Sequence, residues 1–104
     1  MDYHNKLKAI VIVSEDNLFV THCLSSIRTI HEEAFVERVF GFEDFVVLMR
    51  ELIKEAFDFA WIIIDHMTRG EDIILLYKEI EQFKKVMDIQ TQVGMNGYHE
   101  FQEV

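Results

Sequence analysis

Residues 61–80, WIIIDHMTRGEDIILLYKEI, decide the fold that the sequence predicts. The apolar run FAWIII, residues 59–64, is typical of a strand that is covered on both faces. It stops on an acid, Asp65. A glycine and two acids then lead into a segment whose apolar residues recur at helical spacing, namely Ile73, Leu76, Tyr77 and Ile80. A helix is therefore predicted to begin near Glu71 or Asp72, directly after a buried strand.

The same alternation of strand and helix patterns extends through most of the chain. Apolar or β-branched runs predict further strands at residues 8–13, 34–40 and 88–94, the last of which is the most polar. Apolar spacings of three and four predict helices at about 17–31 and 43–57. The stripe of the first helix is Leu18, Val20, Leu24, Ile27 and Ile30. The order βαβαβαβ predicts an α/β fold, an open parallel sheet with helices on both faces in one domain, residues 1–104.

Composition narrows the classes of function. The chain has 104 residues and a formal charge of −9, and such an acidic surface repels phosphate backbones, so no direct nucleic-acid partner is expected. The single cysteine, Cys23, excludes an internal disulfide and is expected to be a small buried hydrophobe. No signal-peptide pattern is present, and the run at 59–64 is too short to cross a bilayer. These features predict a cytoplasmic protein without a membrane segment.

Acidic side chains follow two of the predicted strands. The first strand ends at Val13 and is followed by Ser14, Glu15 and Asp16, and the third ends on Asp65. Ligands of open parallel sheets lie at the carboxyl ends of strands, so Glu15 and Asp65 would converge if these strands were neighbours. Two carboxylates with a main-chain oxygen and waters suit Mg²⁺. The alternative is that these acids only cap helices and loops.

Two segments, IVIVSEDNLF at 10–19 and IIIDHMTRGEDIILLYKEI at 62–80, resemble the receiver domain of bacterial two-component response regulators, the CheY-like fold. In that family an acidic pair follows the first strand, and the third strand ends on an aspartate that accepts a phosphoryl group from a histidine kinase. The resemblance covers residues 7 to about 90. It implies a flavodoxin-like, CheY-like sheet that is shortened at the C-terminus, with about four strands and three helices.

The resemblance also implies a set of site residues. Asp65 matches the phosphoacceptor, and the main-chain carbonyl of Met67 matches the third ligand of a Mg²⁺ ion held with Glu15 and Asp65. Gly70 and Asp72 match the glycine and the aspartate of the loop that precedes the third helix. The implied partner is a histidine kinase or a phosphotransfer protein. The chain is then no enzyme, beyond accepting a phosphoryl group on Asp65.

The sequence departs from the family pattern at several positions. Ser14 replaces one of the two usual acids, and Arg69 stands where a proline is common. The fourth strand should end on a Ser or Thr, but the matching region is Gly94-Met95. The family's fifth strand, its lysine and the last two helices have no counterpart before Val104. Two readings therefore stay open: a phosphorylated receiver, or a degenerate receiver-fold adaptor or inhibitor that binds a partner without phosphorylation.

A prediction about association follows from those departures. With no fifth helix beside it, the first helix would cover its side of the sheet alone, and Leu24, Ile27 and Ile30 would partly face water. The free edge of the sheet would also offer unpaired main-chain groups. We therefore expect a homodimer or a stable complex with a protein partner. A small-molecule flavodoxin-like module is the weaker alternative, because the sequence has no Gly-rich phosphate loop.

Overall fold

Four parallel strands and three helices make up the structure, a computed structural model that describes residues 8–30, 33–65, 68 and 70–94. In chain order the elements are β1 Lys8–Val13, α1 Asn17–Ile30, β2 Phe35–Val39, α2 Phe42–Lys54, β3 Phe59–Asp65, α3 Gly70–Phe83 and β4 Asp88–Gly94. The strand order is β2-β1-β3-β4, and all neighbours are parallel. The predicted α/β open parallel sheet is confirmed, with an order consistent with a flavodoxin-like fold.

The two inner strands, β1 and β3, are buried on both faces. Side chains alternate across a strand, so successive residues enter different cores. One core joins β1 and β3 to α2 and α3 through residues that include Val11, Ile62, Phe45, Met49 and Leu76. The other joins the same strands to α1 through Ile12, Trp61, Ile63, Cys23 and Ile27. Helices therefore cover both faces, which explains why these strands are uniformly apolar in sequence.

The apolar face of α1 differs from the predicted stripe at both ends. Leu18 is 67% exposed, whereas Phe19, Val20, Cys23 and Ile27 are buried. The expectation that Ile27 faces water was wrong, because it is 1% exposed and packs in the α1 core. Leu24 is half-buried against the same core, and the side chain of Ile30 lies outside the described part of the chain. Association through this face stays a prediction.

The C-terminal end of α2 is earlier than the predicted residue 57. The amide of Phe57 donates to the carbonyl of Leu52, and that of Ala56 donates to the carbonyl of Ile53. This pair of bonds is the Schellman arrangement, which closes a helix through a residue in the left-handed region. Ala56 takes that place with φ 67°. Alanine gives no sequence signal for such an ending, since glycine usually occupies it.

The remaining helices and strands lie where the sequence predicts them. One difference is that a residue predicted on the apolar side of α3 is exposed. The polar run at 88–94 does form the edge strand β4, which pairs with β3. In α3 the buried residues are Leu76, Ile80 and Phe83, while Tyr77 is 42% exposed rather than on the core face. No helix in the described ranges combines the length and apolar character needed to cross a membrane.

Truncation of the centre of β3 tests this arrangement. Ile63 lies in β3, and its fully buried side chain packs in the core between the sheet and α1. Ile63→Ala should therefore lower the free energy of unfolding by about 2–5 kcal/mol in urea titrations, whereas Ile74→Ala, at a 58% exposed position of α3, should change it by less than about 0.5 kcal/mol. A loss below about 1 kcal/mol at Ile63 would mean that the third strand is misplaced.

Candidate functional site

The strand order brings the ends of β1 and β3 together. Val13 is paired with Ile64, so the next residues, Ser14 and Asp65, lie side by side at the carboxyl edge of the sheet. The hydroxyl Oγ of Ser14 donates a hydrogen bond of 2.6 Å to Oδ2 of Asp65. Both residues are buried, at 3% and 4% exposure. The predicted adjacency of the two strand ends is confirmed, and it lies where the strand order reverses direction, the usual ligand position in such sheets.

The hydroxyl of Ser14 has a second contact that fixes its position. Its Oγ accepts a 2.9 Å hydrogen bond from the amide of Asp16, two residues ahead. The Asp16 carboxylate in turn accepts bonds from the amides of Leu18 and Phe19, at 2.9 and 3.4 Å, and so caps the start of α1. The capping alternative therefore holds for Asp16. The side chain of Ser14, by contrast, connects the cap of α1 to the Asp65 carboxylate.

The thiol of Cys23, in α1, is affected by the charge of the Asp65 carboxylate. Its side chain is fully buried in the α1 core. Burial raises the pKa of the Cys23 thiol to about 12, and the negative charge of Asp65 contributes to that rise. The thiol is thus protonated at neutral pH and has little nucleophilic character. Cys23 is the small buried hydrophobe that the sequence predicted.

Arg38 holds the loop after β1 from the neighbouring strand β2. Its Nε donates a 2.9 Å hydrogen bond to the carbonyl oxygen of Ser14, and its Nη2 donates to Oδ1 of Asn17. Its guanidinium carbon lies 4.1 Å from the centre of the Phe40 ring, a cation–π distance. Sequence reasoning missed this residue. The available signal was a lone cation near the end of a strand, beside a loop rich in acids.

A cavity of about 190 Å³ opens at this edge of the sheet. Its lining includes Asp65 and Ser14 at the strand ends, the exposed Glu15, and Thr68 and Asp72 from the β3–α3 side. The predicted pair Glu15 and Asp65 therefore borders one space. Among the residues that the structure describes, no group of three or more His, Cys, Asp or Glu side chains is placed to hold a metal ion. The Mg²⁺ site stays a prediction.

Several residues of the predicted site lie outside the part of the chain that the structure describes. Met67, whose carbonyl was the expected third metal ligand, is one, and Arg69 and Met95 are others. Gly70 is the first residue of α3, and Asp72 follows in its first turn, so the loop match leads directly into the helix. Carboxylates in a first turn also favour the helix dipole. Asp72 thus has a structural role besides its place at the cavity.

Comparison of the chain with protein-family models, with curated proteins and with solved structures gives no match. The likeness to receiver domains therefore rests on the sequence motifs that suggested it, and the fold on the strand order and helix placement described above.

A double-mutant cycle measures the Ser14–Asp65 bond. Ser14→Ala removes a donor from a buried carboxylate, so it should lower the free energy of unfolding at pH 7 by about 1–3 kcal/mol. Combined with Asp65→Asn, the two losses should be non-additive by at least about 0.5 kcal/mol. Ser25→Ala, at an exposed position of α1, is the control and should change stability little. Additive losses would contradict a direct bond.

Proposed function

We propose that this chain is a receiver-like signalling module in which Asp65 is the regulated group. Asp65 would accept a phosphoryl group, and the result would change a contact with a protein partner. The observation that carries the proposal is the position of its carboxylate. It ends an inner strand, is hydrogen-bonded to Ser14, and borders a cavity that Glu15 also lines. The strand and the hydrogen bond from Ser14 thus hold the carboxylate in a fixed place at the cavity.

The chemistry asks little of the protein besides positioning. A carboxylate oxygen of Asp65 attacks the phosphorus of the donor, a new O–P bond forms, and the donor's leaving group departs with the electron pair of the bond that breaks. The hydrogen bond from Ser14 limits rotation of the carboxylate, which favours one direction of approach. A Mg²⁺ ion held by the oxygens of Glu15 and Asp65 would neutralise charge on the phosphoryl group.

The consequence of phosphorylation would be electrostatic. Phosphorylation would replace the single negative charge of the Asp65 carboxylate by up to two, a net gain of about one negative charge, in a cavity that is already bordered by Glu15, Asp16 and Asp72. The phosphoryl group would also compete for the hydrogen bond that the Ser14 hydroxyl donates to Asp65. The main-chain carbonyl of Ser14 accepts a hydrogen bond from Arg38. A change at Asp65 therefore has a short route to the β1–α1 loop and to the end of β2. Modifications of this kind act by placing a charge beside a contact that can move.

The second candidate is an adaptor or inhibitor that keeps the fold without the phosphoryl chemistry. The burial of Asp65 favours it, because the residue is only 4% exposed and its carboxylate is bonded to Ser14, which stands where the resemblance expects an acid. In this reading the Ser14–Asp65 bond is a structural link at the edge of the sheet. The protein would then bind its partner in one state only.

Acetyl phosphate labelling separates the two candidates. With Mg²⁺ present, the receiver should gain the mass of one phosphoryl group on Asp65, and hydroxylamine should remove it, as it does from acyl phosphates. Asp65→Asn should gain none. Glu15→Gln should need more Mg²⁺ for the same extent of labelling, because it loses a charged oxygen ligand. Glu55→Gln, at an exposed position just after α2, is the matched control and should behave as the wild type.

Two results would contradict the proposal that Asp65 is phosphorylated. If the wild type gains no hydroxylamine-sensitive mass at any Mg²⁺ concentration, the adaptor reading is supported and the receiver reading fails. Equal labelling of the wild type and Asp65→Asn would also remove Asp65 from its proposed role.

A further inference from the structure

A second depression adjoins the Asp65 cavity, with which it shares Glu15, Phe40, Gly41 and Asp72. It has a volume of about 410 Å³ and lies between the end of β2, the start of α2 and the first turns of α3. Two exposed large apolar side chains border it from opposite elements, Phe40 at 53% exposure and Leu75 at 41%, and the half-buried Phe42 also lines it. Apolar side chains that meet in a solvent-open depression are typical of surfaces that bind another molecule. We call this depression, with the acids named below, the Phe40 groove.

The rim of the Phe40 groove is acidic throughout. Glu15, Glu43, Asp44 and Asp72 line it, and among the residues that the structure describes its lining includes no lysine or arginine. Arg38 has its guanidinium over the Phe40 ring and hydrogen-bonded to Ser14 and Asn17. The chain as a whole carries −9. The field over the groove is therefore negative, and it favours a positively charged occupant.

We propose that the Phe40 groove binds a basic amphipathic segment of a protein partner. An apolar side chain of that segment would pack against Phe40 and Leu75, and its lysines or arginines would lie against the acidic rim. Apolar anchors supply most of the affinity of such contacts, while exposed ion pairs supply register and speed of association. The pairing of two apolar anchors with four carboxylates distinguishes this occupant from an acidic or a purely apolar one.

The groove and Asp65 share a chain of contacts. Phe40 lies under Arg38, Arg38 donates to the carbonyl of Ser14, and the hydroxyl of Ser14 donates to Asp65. A segment that packs on Phe40 would therefore affect Arg38 and, through it, Ser14, which is hydrogen-bonded to Asp65. Only this coupling rests on the proposed function. Binding in the groove stands on the lining alone and can be measured without phosphorylation.

The probe is a fluorescein-labelled synthetic peptide with leucines on one helical face and lysines on the other, titrated with the full chain at low and high salt. Fluorescence anisotropy should report saturable binding that weakens as salt rises. A matched peptide with glutamate in place of each lysine should not bind.

Variants of the protein locate the contact. Leu75→Ser should weaken binding by roughly tenfold or more, as loss of an anchor does. Its neighbour Ile74→Ser, which removes an even more exposed side chain outside the groove, should change binding by less than about twofold. The double variant E43Q/D44N should weaken binding and flatten its salt dependence, whereas E55Q/D58N, at exposed positions beyond the other end of α2, should not.

Each of three peptide-binding results would overturn the proposal: no saturable binding of the basic peptide, equal effects of Leu75→Ser and Ile74→Ser, or equal binding of the acidic peptide. Sedimentation is measured in parallel. Self-association that Leu75→Ser abolishes would place a second copy of the chain in the groove and would also overturn it. Because every titration uses unphosphorylated protein, failure of the labelling experiment at Asp65 leaves these results unaffected.

Discussion

The parallel pairing of β1 with β3 is the constraint on which the rest of this molecule depends. It runs from Lys8 opposite Phe59 to Val13 opposite Ile64 and makes these the two inner strands of the sheet. Both strands must then be apolar on both faces, which requires α2 and α3 on one side and α1 on the other. The same register puts the next residue of each strand, Ser14 and Asp65, within hydrogen-bond distance at the edge of the sheet. Fold and site thus have one origin.

Two different surfaces adjoin at this edge of the sheet. Asp65 is buried and held by Ser14, while the Phe40 groove, which shares lining residues with the Asp65 cavity, is open and acidic. Arg38 connects them, since it contacts both the Phe40 ring and the carbonyl of Ser14. A change of charge at Asp65 and the occupation of the groove would therefore act on the same loop, which gives a physical basis for coupling between modification and partner binding.

The sequence predicts the sheet well because its inner strands are buried on both faces, and short β-branched apolar runs such as FAWIII and KAIVIV are typical of such strands. It also predicts that Glu15 and Asp65 border one space, because the carboxyl ends of adjacent parallel strands meet. It could not predict the exposure of Leu18, which depends on how Asp16 caps α1 and so on the rotation of that helix. Nor could it predict the role of Arg38, because that role arises from contacts between residues 21 to 24 positions apart.

The central claim is that Asp65 accepts a phosphoryl group and that its state reaches the groove through Ser14 and Arg38. Beryllofluoride, a phosphoryl analogue that binds carboxylates, tests it directly when it is added with Mg²⁺ while amide chemical shifts are recorded. The account predicts shifts at Asp65 and Ser14 that extend to Arg38 and Phe40, and none of them in Asp65→Asn. An unchanged spectrum, or changes confined to residues remote from Ser14 and Arg38, would contradict it.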